Sequence, residues 1–223
     1  MEDDGRARIA INLRPIATPV PLTFLGLMIA TVLVAGVELG IVPTREQHAA
    51  AWILLAVPFP LQLMAAAWAF PSRSAGAATG SAVLAGTWLA VSLGLMHLPE
   101  GVSSPALGLL FCTAGAAMLV ATLAEATSAF VPAIVMFATA IRFFFSATSQ
   151  LTGSPFWQHT AGYTGLVLGG LALYGALALE LEGATNREVL PVLRYGRGRA
   201  AVAAPLQAQL DQVEHEPGVR KVL

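Results

Sequence analysis

The chain has 223 residues, of which 56% are hydrophobic and only 11% charged, with a formal net charge of −1 and a mean hydropathy of +0.70. A soluble domain carries roughly 25% charged residues, so this composition excludes an ordinary soluble fold, and the near-neutral charge leaves no electrostatic basis for binding nucleic acid. The single cysteine, Cys112, excludes an intrachain disulfide and a thiolate metal cluster, and its place in an apolar stretch predicts a small packing residue.

Residues 1–20 mix Glu2, Asp3 and Asp4 with Arg6, Arg8 and Arg14 and hold no apolar core followed by a cleavage site, which predicts a cytosolic tail and not a signal peptide. A transmembrane domain over 21–181 follows. Its six apolar stretches, Pro21–Val42, Ala49–Phe70, Gly76–Leu98, Ser104–Ala124, Ser128–Gln150 and Trp157–Leu181, each reach the length of about 20 residues that a membrane helix needs. Period-two alternation is absent and Ala, Leu and Gly dominate, so the predicted fold is all-α: an integral membrane bundle of six helices.

In the first span, Pro21 suits a helix start because its missing N–H would be unpaired there anyway, with Thr18 or the turn around it capping nearby donors. That N-terminus either offers a resting place for a carboxylate or does no more than begin a helix. Further along, Thr23, Leu27, Thr31 and Glu38 fall four, four and seven apart, on one helical face. In the second span, Pro58 and Pro60 precede Gln62 and predict a kink, which either frees carbonyls along a permeation path or simply bends the bundle. The fifth span carries a second polar stripe, with Thr139, Arg142, Ser146 and Ser149 spaced three, four and three. Lipid offers no hydrogen-bond partners, so both stripes are expected to face inward, with Phe143, Phe144 and Phe145 packed around Arg142. His159, before the sixth span, is either a vestibule-rim pH sensor or simply solvated.

Beyond residue 181 the chain turns polar. Residues 182–223 are expected to form a largely flexible cytosolic tail, with a short helix between Leu206 and Glu216. Its Arg194, Arg197 and Arg199 fall short of the four to eight basic residues of a lipid-recognition patch.

With an even number of spans, ten cations (Arg6, Arg8, Arg14, Arg73, Arg187, Arg194, Arg197, Arg199, Arg220, Lys221) fall on the side of the termini and only Arg45 on the other. Both termini are therefore expected in the cytoplasm. Glycine pairs four apart, Gly36 and Gly40, Gly76 and Gly80, Gly165 and Gly169, allow close helix approach within a bundle or between protomers. No nucleophile constellation, phosphate loop or metal-ligand spacing occurs, so neither catalytic residues nor a cofactor or metal is expected.

Three separated segments carry a resemblance. Thr18-Pro19-Val20-Pro21-Leu22-Thr23-Phe24 opens the first helix; Gln62 and Trp88 lie in the second and third; His159-Thr160-Ala161-Gly162-Tyr163-Thr164-Gly165-Leu166, Tyr174 and Arg187-Glu188-Val189-Leu190-Pro191 close the membrane domain. Together these resemble the acetate uptake transporter family, which includes bacterial succinate–acetate permeases. The entrance motif of that family reads Asn-Pro-x-Pro-Leu-Gly-Leu, so Thr18 stands for its asparagine and Thr23 for its glycine, while Leu84 replaces a pore-lining tyrosine.

The resemblance implies a plasma-membrane transporter or channel for small carboxylate anions such as acetate or succinate, with six helices per protomer, a path through each, and assembly as a hexamer. Proton coupling is an open element of this reading, with Glu38 the candidate acceptor. The rival is a transport-inactive sensor or scaffold of the same fold, favoured by the altered entrance motif.

At about 1.5 Å per residue, Glu38 lies roughly 25 Å and Arg142 roughly 21 Å from the cytosolic end, so both fall in the outer half and within reach of one another. An isolated charge at that depth costs at least about 2.5–3.5 kcal/mol, which calls for a partner. Two roles remain for Arg142: a structural pair with Glu38, or a cation that draws carboxylates into the path.

Overall fold

The computed structural model describes residues 17–72, 74–99, 101–185, 187–196 and 199. Its helices are α1 (Val20–Glu38), α2 (Gln47–Ala56), α3 (Pro58–Ala69), α4 (Ala75–His97), α5 (Pro105–Glu125), α6 (Phe130–Thr152) and α7 (Pro155–Thr185), with a single 3₁₀ turn, Thr44–Glu46, leading into α2. Counting α2 and α3 as one crossing, six helices among the described residues are long and apolar enough to span a membrane. The six-helix expectation holds, with shifted ends.

The largest shift is in the second span, where one helix becomes two. Val57 sits at φ −119° and ψ −74° between α2 and α3, because Pro58 and Pro60 cannot donate to the carbonyls of Leu54 and Ala56. The first span ends four residues early: Gly40 turns the chain at φ +71°, a conformation open to glycine at little cost. Pro21 is the second residue of α1 and not the first, and Val20 N–H reaches Thr18 Oγ1 at 3.5 Å, too long to cap the helix firmly. α5 begins as its sequence suggests, with Ser104 Oγ accepting from Leu107 N–H at 3.4 Å ahead of Pro105.

Helices pack in an up-and-down order. α1 lies along α7, α5 along α6, and α4 against α3, α2 and α5. Glycines set the closest approaches. Gly162 of α7 lies under Leu39 and Glu38, Gly165 under Arg142 and Ala35, Gly169 under Val32, and Gly175 under Phe24. Gly76 meets Ala124 and Glu125 on α5, and Gly80 meets Met136 and Ala121 on α6 and α5. These pairs therefore join helices of one bundle. Gly40 has nothing near it and serves the turn instead.

The core holds Phe24, Leu27, Leu84, Trp88, Met136 and Phe143 together with Arg142 and Gln62, all with essentially no exposure. The rim is as apolar as the core: Trp52, Trp68, Leu123 and Val167 are each more than half exposed, the pattern of a bundle whose surroundings are lipid. Cys112 is exposed on this rim, so the expectation that it packs inside is corrected. It shares the outward side of α5 with Leu109 and Val120.

The start of the expected flexible tail is also ordered. α7 runs on to Thr185, and residues 187–196 fold back beneath the bundle. Phe130 N–H donates to Leu193 O at 3.1 Å, Val131 N–H to Val192 O at 3.2 Å, and Tyr195 N–H to Ser128 O at 3.1 Å. This strap supplies acceptors for the first amides of α6, which no residue within that helix can satisfy. Tyr174 Oη donates to Pro191 O at 2.9 Å, and Arg194 pairs with Glu182 at 3.0 Å. The Leu206–Glu216 helix, Arg197 and most of residues 1–20 lie outside the described residues.

Candidate functional site

Two hollows open at opposite ends of the bundle. The one at the end of the chain termini has a volume of about 490 Å³ and is bordered by Thr18, Ser74, Glu125, Ser128, Glu182 and Arg194. The other, about 200 Å³, is bordered by Glu38, Gln47, Phe111, Ser149, Gln150 and Gln158. Between them Phe24, Leu27, Leu84, Trp88 and Phe143 fill the middle without solvent exposure, so this conformation is closed.

Both polar stripes face inward, as the bilayer argument demands. Thr23, Leu27 and Thr31 on α1 and Thr139, Arg142 and Ser146 on α6 are buried. The structure divides them into two clusters. In the outer one, Arg142 is wholly buried and each of its nitrogens is engaged: Nε donates to Thr31 Oγ1 at 2.9 Å, one terminal nitrogen to Ser146 Oγ at 2.6 Å, and the other to Glu38 Oε2 at 2.9 Å. Ser146 Oγ donates onward to Glu38 Oε1 at 3.3 Å. The pair anticipated from helix depth is therefore present, and charge-assisted bonds of this length are the strong kind.

Thr31 also reaches Gly165 O at 3.4 Å, so the guanidinium lies where α1, α6 and α7 converge. Gly165 makes room for it: a β-carbon there would lie 2.9 Å from Arg142 Nε. Arg142 does not border the outer hollow, whereas Glu38 does.

The second cluster sits lower, around the entrance motif. Gln62 Nε2 donates to Thr23 O at 3.1 Å and Gln62 Oε1 accepts from Trp88 Nε1 at 3.0 Å. Because indole nitrogen only donates, the orientation of the Gln62 amide is fixed. Thr23 Oγ1 and Ser81 Oγ share a hydrogen bond of 2.7 Å. Thus α1, α3 and α4 are tied together by one buried amide whose polar atoms are all used.

The remaining expected residues separate. Thr18 is exposed at the inner hollow, Pro19 and Pro21 are buried, and Leu22 is half-buried. Thr139 bonds its own helix at Val135 O, 2.8 Å away, and joins neither cluster. Phe143 packs between Trp88 and Phe111, with ring centroids 5.8 and 5.6 Å away. Its two neighbours turn elsewhere: Phe144 lies against Gly115 and Phe145 stacks on Trp157. Successive helical residues diverge by about 100°, so three in a row cannot surround one guanidinium. His159 is exposed.

Sequence reasoning missed Ser81, Gln47, Ser149 as a vestibule residue, and the Glu182–Arg194 pair. Ser81 carried a readable signal: Ser81, Leu84, Trp88 and Ser92 are spaced three, four and four, a third inward stripe by the rule applied to α1 and α6.

No family model matches the chain, and no curated protein matches it in sequence. Among solved structures, the bacterial acetate channel SatP matches over 79% of this chain and 98% of its own length, with a TM-score of 0.70 and 22% identity. The chain has the SatP fold. That fold is a membrane bundle, and the match takes in nearly all of the channel, so the six-helix domain corresponds to the channel chain as a whole.

Proposed function

We propose that this protein is a member of the acetate uptake transporter family and moves small carboxylate anions, acetate or succinate among them, across the plasma membrane. The observation that carries the reading is a closed bundle with the fold of an acetate channel and a buried guanidinium one carboxylate away from an open vestibule. The entrance motif, the Gln62–Trp88 contact and the strap after Leu190-Pro191 support it, because the segments that carry the sequence resemblance are the ones the structure ties together.

Transport in this reading proceeds by desolvation and replacement. An anion that leaves water in the outer hollow loses hydration, and Arg142 and Ser146, the groups that donate to the Glu38 carboxylate, are the donors able to replace it. At the inner end, Thr18 and Ser128 border the wider hollow from which the anion leaves. Proton coupling and assembly as a hexamer belong to the same proposal; native mass in mild detergent checks the latter, and a clean monomer would count against it.

Labelled acetate uptake into proteoliposomes tests the function. Saturable, protein-dependent flux is expected, and an imposed pH gradient should drive accumulation beyond the electrochemical equilibrium of the anion if protons travel with it. A bundle that purifies folded and gives no flux would instead be the transport-inactive scaffold.

Orientation has its own test. In a Cys112→Ser background, cysteines at Val102 and Ala184, both exposed and at opposite ends of the bundle, should differ in their labelling in intact cells. An impermeant thiol reagent should reach position 102 and spare position 184, as the ten-to-one cation bias requires. The reverse pattern would invert the topology.

A further inference from the structure

Of the three side chains that hydrogen-bond Arg142 among the described residues, only Glu38 borders the outer hollow. Its side chain is 14% exposed, while that of Arg142 has no exposure, and Thr31 and Ser146 are at 0% and 2%. An anion arriving from outside therefore meets a carboxylate before it meets the guanidinium. What holds that carboxylate is a set of donors suited to any carboxylate: a guanidinium nitrogen at 2.9 Å on one oxygen and a hydroxyl at 3.3 Å on the other. The guanidinium is fixed from behind by Thr31 and Ser146, so it stays in place whether or not Glu38 does.

Glu38 is also placed to leave. It is the last residue of α1, two positions before the Gly40 turn, and the hollow beside it is bordered by Gln47, Ser149, Gln150 and Gln158, whose amide N–H and hydroxyl groups can donate to a displaced carboxylate.

We propose that Glu38 is a tethered stand-in for the transported carboxylate, seated on Arg142 in the closed bundle and exchanged for the entering anion. This rests on the carboxylate-transport reading and adds to it. Arg142 then never stands bare in the membrane, where an unpaired charge is costly, and a neutral solute cannot displace Glu38 from its seat because it cannot replace the ion pair. Exchange of one carboxylate for another leaves the charge of the cluster unchanged.

The experiment is chemical rescue. Glu38→Ala removes the tethered carboxylate and leaves its seat open to the hollow. Full-length protein in detergent is melted in rising sodium acetate, against sodium chloride and acetamide at matched concentration. Acetate should raise the melting temperature of Glu38→Ala saturably, by roughly 5 °C, with no comparable shift in the wild type, in acetamide, or in the double variant Glu38→Ala with Arg142→Gln. Equal shifts in acetate and in either control, or an equal response of the double variant, would overturn the proposal.

Glu38→Gln keeps the packing should the alanine variant fail to fold. It should show a saturable rise in melting temperature with acetate that the wild type lacks, and a response no larger than that of the wild type overturns the idea as firmly. Wild-type flux separates this inference from its foundation. Rescue without flux upholds the seat and removes transport, whereas flux without rescue keeps transport and removes the seat.

Discussion

Arg142→Gln is expected to abolish carboxylate flux and to destabilise the bundle by about 3–5 kcal/mol, the usual consequence of removing one partner of a buried pair. The side chain has no exposure and engages Thr31, Ser146 and Glu38 at once, so glutamine loses three charge-assisted contacts and leaves Glu38 without its cation. Arg142→Lys should keep part of both properties. It retains the charge but not the planar fork that reaches Thr31, Ser146 and Glu38 from separate nitrogens.

The double variant Glu38→Gln with Arg142→Gln decides what the arginine is for. Two neutral amides can hydrogen-bond to one another, so folding should recover much of what either single change loses. Flux should not recover, because the donor that replaces the hydration of the anion is gone. Melting temperature and proteoliposome uptake on all four members of the cycle separate the two roles. Normal transport by the double variant would make Arg142 a structural residue.

The parts of this site that were legible in the sequence share one physical origin. Lipid cannot satisfy a polar group, so the stripes carrying Thr31, Glu38, Arg142 and Ser146 were expected to face inward, and a rise of about 1.5 Å per residue put the two charges within about 4 Å of one another in depth. Those two facts made an Arg142–Glu38 pair geometrically possible, and the contact at 2.9 Å realises it. Residues outside this logic were harder to place. The Glu182–Arg194 pair depends on the chain folding back after α7, and the acceptors of that strap, Leu193 O and Val192 O for the amides of α6, are backbone atoms with no side-chain signature.

Helix ends were blurred for a related reason. Apolar residues continue past Glu38 through Ile41 and Val42, so hydropathy extends the first span beyond the point where Gly40 turns it. Cys112 shows the opposite limit. A membrane helix is apolar on both its inner and its lipid face, and composition cannot say which side a small residue takes.

The second large effect is expected at Gly165, because this position has no slack. A β-carbon there would lie 2.9 Å from Arg142 Nε, 3.1 Å from Ala35 Cβ and 3.3 Å from Thr31 O. The nitrogen cannot yield freely, since it is held at 2.9 Å by Thr31, and the other two neighbours belong to the backbone and first side-chain atom of α1. Gly165→Ala must therefore part α1 from α7 or turn the guanidinium, at a cost of about 1–3 kcal/mol for overpacking.

Gly170, on the same helix, would place a β-carbon in open space, with nothing within 4 Å, so Gly170→Ala should stabilise by roughly 0.5–1 kcal/mol through helix propensity alone. The pair of variants separates packing within the bundle from any general effect of alanine in α7. Flux adds a second reading: Gly165→Ala should lower it further than its stability loss explains, because the side chain it displaces is Arg142. Equal melting temperatures for the two variants would mean that α1 and α7 do not meet at Gly165, and the seat built on Thr31 and Arg142 would fall with that contact.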